Sequence, residues 1–516
     1  MLNNSVYKSG SSYIIKSDYP DLDVIRVEDT YYMISTTMHF MPGAVILRSY
    51  NLLDWEFASY VYSSLDDTPG QKLEDGKGIY GKGMWAASLR YHKGTFYVAF
   101  VANDTHKTYL YTSSKITGPW KKSQIQGFYH DMSLFFEDDG KPYVIYGNTE
   151  IRITQLKEDL TGPKDGGLNK IIVKDNKEEV WLGFEGSHFY KIDGLYYLFV
   201  INFPKGNMRT ETLFVSEKLE GPYFCRNVFT SDLDGWNSGL AQGGIVQAND
   251  GKWYGILFQD HGALGRIPVL LPFNLDKDNP YFGIKGKACE SITVLDNRPD
   301  YKYKKLYKSG FLNEENQLDP AWQWNHIPDF NLISLKDNHL TIKTDRLTSN
   351  VVQAKNTLTQ RTFCEKCLAS VLLDASKINE GDYAGFCALE GQYAFIAITK
   401  KNGSYYLCSA EHKVIDGQTT DYSHKAELLS EVEISNPLVK LALKFDLTKE
   451  GQNVELQYFN ENTRAFERLG REKSKLRYTL DHFVGVRFAL FIFSTKETGG
   501  QADFSDFNFG FWQDLE

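Results

Sequence analysis

The hydrophobic and polar positions in the first 300 residues form a unit that occurs five times. Each unit begins with a seven-residue strand pattern, turns through a short polar segment and continues into a second strand rich in aromatic residues. The opening segments are DLDVIRV from Asp21, WAASLRY from Trp85, DMSLFFE from Asp131, EGSHFYK from Glu185 and QGGIVQA from Gln242. Asp-Gly pairs at 139–140, 193–194 and 250–251 mark tight turns, because glycine accepts the positive φ that such turns require. The alternation therefore predicts antiparallel hairpins.

A second motif follows four of the five hairpins and adds further strands to each unit. It joins a serine through a polar spacer to an aromatic residue, and its clear copies end at Trp55, Trp120 and Tyr223. The units begin 46 to 64 residues apart. About four strands over such a spacing are typical of a propeller blade. Residues 1–300 are therefore predicted to form an all-β, five-bladed β-propeller.

The chain changes character after a polar and basic segment near residues 297–310, which is predicted to be a linker. Short runs of alternating residues follow, among them HLTIKT, YAFIAIT and LVKLALKF. Alternation with a period of two over about a dozen strands is typical of a β-sandwich. Residues 308–516 are therefore predicted to form a second domain, a β-sandwich of the jelly-roll type.

Composition and charge narrow the classes of function. The 516 residues suit two domains, and the 14% of aromatic residues favours strands. The net charge is −9 without a stripe of Lys and Arg, which argues against nucleic acid as a partner. No apolar stretch reaches the roughly 20 residues of a membrane span, and the N-terminal segment lacks the pattern of a secretory signal. We expect a cytoplasmic protein without a membrane partner, and assembly into a homo-oligomer is left open.

Equal register in the five hairpins would bring their first residues together at the mouth of the central funnel. The members of this ring would be Asp21, Trp85, Asp131, Glu185 and Gln242. A single acid is most often a solvated surface charge, but three acids in one register argue against coincidence. Crowded carboxyl groups push their pKa values apart, so that one keeps a proton while another is ionised. Glycoside hydrolysis needs this combination, and a Trp offers a flat face to a sugar. Metal binding fits less well, because dedicated sites usually draw several oxygen ligands from one loop.

Three of the motifs resemble those of a known family. Asp21 within YPDLDVIRV, Asp131 within HDMSLFF and Glu185 within FEGSHFYKIDGLYY are similar to the acidic motifs of glycoside hydrolase family 43. The segments WAASLRYHKGTFY and QDHGALGRIPVLLP extend the resemblance. It implies a five-bladed propeller that acts by inversion on xylans, arabinans and related glycans. It also implies that Asp21 is the general base, that Glu185 is the general acid, and that Asp131 orients this acid and modulates its pKa.

The resemblance also suggests further site residues. It implies that Arg266 contacts the sugar next to the cleaved bond, while Met38 and Phe40 are candidates for an apolar wall, with blade packing as their alternative. Many family members have a histidine where this chain has Gln242, and that histidine helps to hold a calcium ion. Gln242 together with His261 could replace it, although a structural histidine is the commoner outcome. No cofactor is required for the proton chemistry, and a structural calcium ion is left open.

The function expected from these observations is that of an exo-acting, inverting glycosidase. It would remove terminal xylose from the non-reducing end of β-1,4-xylo-oligosaccharides or arabinoxylo-oligosaccharides, with α-L-arabinofuranosidase as a second activity. The alternatives are an exo-glycosidase for another terminal sugar such as galactose, and a non-catalytic sugar-binding protein. The second half resembles the lectin-like, concanavalin A-like sandwich of the xylosidase members. It could bind polysaccharide or cap the funnel, and capping is the favoured expectation.

Overall fold

The computed structural model describes residues 6–276, 278–414 and 425–512, which contain 38 strands, three short 3₁₀ helices and no α-helix. The strands of the first half are β1 (Val6–Ser11), β2 (Asp23–Val27), β3 (Thr30–Ser35), β4 (Phe40–Met41), β5 (Gly43–Ser49), β6 (Glu56–Tyr62), β7 (Met84–His92), β8 (Thr95–Ala102), β9 (Lys107–Ser113), β10 (Lys121–Ile125), β11 (Ser133–Phe136), β12 (Pro142–Tyr146), β13 (Glu150–Gln155), β14 (Asn169–Lys174), β15 (Val180–Ile192), β16 (Leu195–Pro204), β17 (Thr210–Ser216), β18 (Phe224–Phe229), β19 (Leu240–Gln247), β20 (Trp253–Asp260), β21 (Arg266–Asn274), β22 (Tyr281–Phe282) and β23 (Ser291–Asp296). None of the helices in these ranges is long and apolar enough to cross a membrane.

Five antiparallel sheets of four strands each form the propeller, as predicted. Their strand orders are β2-β3-β5-β6, β7-β8-β9-β10, β11-β12-β13-β14, β15-β16-β17-β18 and β19-β20-β21-β22. Buried apolar side chains of neighbouring blades pack against each other, for example Phe199 and Leu257 between the fourth and fifth. A separate pair, β1 with β23, joins the two ends of the propeller segment.

The ring residues lie where the innermost strand of each blade is irregular. Asp21 and Asp131 lie two residues before β2 and β11, and both have left-handed backbones, with φ of 51° and 46°. Trp85, Glu185 and Gln242 lie inside β7, β15 and β19, each at a shift in the pairing register. Such irregularities change the direction of a side chain relative to the regular sheet. The five side chains therefore reach one common cavity.

The second half forms two packed sheets, and its all-β, concanavalin A-like architecture is also confirmed. Its strands are β24 (Trp322–Asn325), β25 (Ile333–Lys336), β26 (His339–Lys343), β27 (Leu358–Arg361), β28 (Lys366–Asp374), β29 (Asp382–Leu389), β30 (Ala394–Lys401), β31 (Ser404–Glu411), β32 (Glu427–Ile434), β33 (Leu438–Asp446), β34 (Asn453–Asn460), β35 (Ala465–Arg468), β36 (Ser474–Lys475), β37 (Arg487–Ser494) and β38 (Gln501–Phe511). One sheet has the order β32-β31-β30-β29-β37-β27-β24-β4, and the other has the order β25-β26-β38-β28-β33-β34-β35 with β36 beside β34. The 3₁₀ helices span Gly262–Leu264, Phe330–Leu332 and Val351–Gln353.

The two halves share a sheet, because β4 of the first blade pairs with β24 of the sandwich. The predicted linker also packs on the propeller. The backbone N–H of Tyr50 donates to the hydroxyl of Tyr303 at 2.8 Å, and Tyr301 donates to Glu56 at 2.5 Å. These contacts fix the sandwich against the first blade. The division at residues 300 and 308 stays a prediction.

Candidate active site

One cavity of about 280 Å³ contains most of the residues that the sequence singled out. Those that line it are Asp21, Met38, Trp85, Asp131, Glu185, Gln242 and Arg266. Further polar and aromatic residues complete its wall, among them His130, Asn148, Arg209, Asp260, Tyr478 and Phe483. Carboxyl groups from the first, third and fourth blades therefore meet in one enclosed space.

Asp21 is held by an arginine of the fifth blade. Nη1 of Arg266 donates to Oδ1 of Asp21 at 2.8 Å, and both side chains are buried. The guanidinium also lies 4.5 Å from the centre of the Phe483 ring. Burial raises the pKa of Asp21, and the positive charge of Arg266 opposes that rise. Burial is the larger of the two effects, and Arg266 is the neighbouring group that favours the ionised form of Asp21.

Glu185 has different surroundings. Its Oε2 atom accepts a hydrogen bond from Nδ2 of Asn148 at 2.5 Å and lies 3.1 Å from Nε2 of His130. The other ring nitrogen of His130, Nδ1, lies 3.8 Å from Oδ1 of Asp131. His130 therefore connects two of the three acids, and Asn148 fixes one oxygen of Glu185.

Burial and charge shift the proton affinities in this group. Burial raises the pKa of Asp131 to about 7, assisted by the negative charges of Glu185 and Asp21 and opposed by His130. Burial alone would lower the pKa of His130, but the carboxylates of Asp131 and Glu185 outweigh it and raise that pKa to about 9. The imidazole is therefore protonated at neutral pH and has an N–H on each ring nitrogen. The carboxyl group of Asp131 is partly protonated near neutral pH.

The sandwich supplies one wall of the cavity. Tyr478 and Phe483 lie between β36 and β37, and the backbone carbonyl of Phe483 accepts a hydrogen bond from Arg266 at 3.3 Å. Buried Asp18 fastens this segment, because its two carboxylate oxygens accept hydrogen bonds from the N–H groups of Arg266, at 2.8 Å, and Gly485, at 2.9 Å. The second half thus closes the cavity on one side, which is the arrangement expected of a cap.

Phe40 is buried and is not among the residues that line the cavity, which favours packing, the alternative role, over a sugar-facing wall. It belongs to β4, whose pairing with β24 turns its ring toward the sandwich. The guanidinium of Arg487 lies 3.4 Å from the ring centre, and the side chain is buried beside Met38 and Val484. Met38 itself lines the cavity and forms a bridge to Met84 of the second blade.

Gln242 and His261, the two metal ligands that the sequence suggested, differ in their access to the cavity. His261 lies outside the cavity lining, stacked on Trp236 with ring centres 4.2 Å apart. Gln242 lines the cavity, but its amide packs directly on Gly186, where a Cβ atom would lie 2.3 Å from the amide carbon. A calcium ion held by this pair stays a prediction.

Within the described ranges, one group of three side chains is close enough to share a cation. One ligand-type atom each of His130, Asp131 and Glu185 lies within 4.8 Å of the others. Nε2 of His130 faces Glu185 at hydrogen-bonding distance, so these side chains also contact one another directly.

Several residues of the site were missed in the sequence. His130 directly precedes Asp131 in the motif HDMSLFF, so its position was visible although its partner was not. Asn148 lies in the turn between β12 and β13, and no local pattern indicates that it faces the fourth blade. No sequence pattern indicated that Tyr478 and Phe483 belong to the site, because their position depends on how the sandwich packs against the propeller.

Comparison with known proteins agrees with this geometry. Residues 12–281 match the model of the glycosyl hydrolases family 43, and residues 313–510 match that of a beta-xylosidase C-terminal concanavalin A-like domain. A beta-xylosidase of Formosa agariphila is 25% identical over 96% of this chain and 90% of that protein. A non-reducing end alpha-L-arabinofuranosidase of Bacteroides ovatus is 24% identical over 84% of this chain and 84% of that protein.

Comparison with solved structures shows the same overall fold. A bifunctional GH43-CE protein of Bacteroides eggerthii has a TM-score of 0.87 and 35% identity over 98% of this chain, which spans 64% of that protein. The family model covers more than half of the sequence. This match favours a catalytic function of the cavity over sugar binding without catalysis. The chain belongs to the glycosyl hydrolases family 43 and is a glycoside hydrolase.

Proposed function

We propose that this protein is an exo-acting, inverting glycosidase that removes terminal xylose from the non-reducing end of β-1,4-xylo-oligosaccharides. The observation that carries the proposal is the convergence of Asp21, Asp131 and Glu185 in one cavity with unequal surroundings. Asp21 is paired with a guanidinium, whereas Glu185 contacts the neutral Asn148 and the shared imidazole of His130. Carboxyl groups in unlike environments divide into an acid and a base.

In the proposed reaction Asp21 is the general base and Glu185 the general acid. Asp21 accepts a proton from water as the water oxygen attacks the anomeric carbon. Glu185 donates its proton to the glycosidic oxygen as the bond between that oxygen and the anomeric carbon breaks. Asp131 is the residue that orients this acid, and His130 lies between the two carboxyl groups. The chemistry uses only side chains of the chain itself.

The size and closure of the cavity support exo action. At about 280 Å³ it is at the lower end of the range of ligand sites. Tyr478 and Phe483 of the sandwich wall it off, which leaves space for a terminal sugar and favours the release of single residues. The similarity to a beta-xylosidase of Formosa agariphila supports xylose as this sugar.

A second activity on α-L-arabinofuranosyl groups is supported by the similarity to the arabinofuranosidase of Bacteroides ovatus. Xylopyranose and arabinofuranose present comparable hydroxyl groups, so one pocket can accept both. We propose xylose as the preferred sugar and arabinose as the secondary one. A galactoside is the remaining alternative.

The test is nitrophenol release from β-xyloside, α-L-arabinofuranoside and β-galactoside under identical conditions. We expect the highest kcat/KM on the xyloside and a lower but measurable value on the arabinofuranoside. The variant Asp21→Asn is the matched control for contaminating glycosidases. Preference for the galactoside would overturn the substrate assignment, and inactivity on all three would overturn the proposed function.

A further inference from the structure

Oε2 of Glu185 is engaged twice, whereas its Oε1 atom is not. Asn148 donates to Oε2 at 2.5 Å, and Nε2 of His130 lies 3.1 Å away. Among the described residues no hydrogen bond reaches Oε1, and the side chain keeps 17% of its surface exposed to the cavity. The two oxygens of the proposed acid are therefore not equivalent.

The orientation of both donors is fixed by contacts of their own. The hydroxyl of Thr149 donates to Oδ1 of Asn148 at 3.0 Å, which leaves the NH₂ group of Asn148 facing Glu185. The backbone carbonyl of His130 accepts a hydrogen bond from Gly147 at 3.0 Å, and the ring packs edge-on against Trp85 with ring centres 5.4 Å apart. The amide of Asn148 cannot turn without losing the Thr149 contact, and the ring of His130 cannot turn without leaving Trp85.

We propose that His130 and Asn148 are positioning residues that hold the transferable proton of Glu185 on Oε1, the oxygen that faces the leaving group. A proton on Oε2 would face the N–H groups of Asn148 and His130. Three donors would then meet at one oxygen, and losing their hydrogen bonds is costly in a largely buried site. The inference rests on the proposed function, since it states which oxygen of the general acid in that reaction carries the proton.

The arrangement also favours the transfer itself. The O–H bond of Glu185 Oε1 breaks, the proton joins the leaving oxygen, and the electron pair of the broken C–O bond stays on that oxygen. The carboxylate that remains is stabilised through Oε2 by two donors already in place, so no reorganisation is needed. While Glu185 holds its proton, the negative charges of Asp131 and Asp21 still favour the charged form of His130.

The test compares leaving groups. His130→Ala and Asn148→Ala are assayed on xylobiose, whose leaving group needs protonation, and on 2,4-dinitrophenyl β-xyloside, whose leaving group does not. We expect kcat/KM to fall roughly 10- to 100-fold on xylobiose and less than about threefold on the dinitrophenyl substrate. His130→Gln, which keeps a donor without the charge, should retain part of the xylobiose activity. The control His92→Ala removes a ring that stacks on Phe136 outside the cavity lining and should change neither value.

A second measurement separates positioning from structural damage. In the Glu185→Gln background, His130→Ala should add no further discrimination between the two substrates, because both residues act on one proton. Equal losses on both substrates, or additive losses in the double variant, would overturn the inference while leaving the proposed function intact. If His130→Ala does not fold, Asn148→Ala and His130→Gln give the same comparison. Failure of the wild type on the dinitrophenyl xyloside would instead refute the proposed function.

Discussion

Phe483→Ala removes the aromatic wall that the sandwich contributes to the cavity. The ring lies 4.5 Å from the guanidinium of Arg266, whose Nη1 holds Asp21 at 2.8 Å. The segment should keep its path, because Asp18 still accepts the hydrogen bond from Gly485 and the neighbouring Val484 stays buried. The substitution therefore changes the cavity more than it changes the fold.

The expected loss follows from the cation–π contact. Arg266 is 4% exposed, so the contact is largely desolvated and contributes about 2 kcal/mol. Without the ring the guanidinium leaves this position, and returning it in the transition state at that cost lowers kcat/KM by about 30-fold. Water entering the opened side weakens the Arg266–Asp21 pair as well, so the loss should be at least of this size.

The assay is the steady-state hydrolysis of xylobiose, with thermal unfolding measured in parallel. Leu480→Ala is the matched control, because Leu480 lies on the same segment, is 75% exposed and does not line the cavity. We expect this control to stay within about twofold of the wild type. A Phe483→Ala variant that folds and retains wild-type kcat/KM would refute the argument that the sandwich completes the site.

Three further predictions concern charge. Asp21→Asn should abolish turnover of all xylosides, whereas Glu185→Gln should keep most of the activity on dinitrophenyl β-xyloside; equal losses for the two variants would contradict the division of roles. Arg266→Gln removes the charge that opposes the raised pKa of Asp21, so the acid limb of kcat/KM should move to higher pH, and an unchanged limb in the pH profile would refute the pairing. Acid stability should depend on a group of histidines buried where the sandwich meets the first blade. Its members are His39, His326 and His482. Burial lowers the pKa of each, in one case to about 4, so the unfolded chain binds more protons as the pH falls below 6.5 and stability is lost. Denaturant titrations should give a decrease of about 2–3 kcal/mol between pH 7 and 4.5 for His482 alone, and a decrease that persists in His482→Gln would count against this source.

The propeller could be predicted because the strand and turn patterns that define each blade lie in short, continuous stretches of sequence. Strand pairs with short polar turns recur in all five units, with Asp-Gly turns in three of them, so the blades and their ring of first residues follow from the repeat. The backbone at the ring could not be predicted in this way. Asp21 and Asp131 precede their strands in left-handed conformations, and Glu185 lies at a shift of register inside a strand. A strictly regular pattern assigns such positions only approximately.

The remaining errors and omissions have a common physical origin in contacts between distant parts of the chain. Phe40 faces the sandwich because β4 pairs with a strand nearly 300 residues later. Phe483 enters the cavity for the same reason, since the sandwich packs against the mouth of the propeller. His261 was assigned from its place in a motif, but a stacking contact with Trp236 decides where its ring lies. None of these pairings has a local signature.

The stereochemistry of the first product tests most directly whether Asp21 and Glu185 act on opposite faces of the sugar. Proton NMR of xylobiose hydrolysis, recorded before the anomers interconvert, distinguishes the two outcomes. A base that activates water opposite the acid predicts α-xylose as the initial sugar released from the non-reducing end. Initial release of β-xylose would mean that a carboxylate attacks the sugar itself, and would contradict the assignment of Asp21 as a general base.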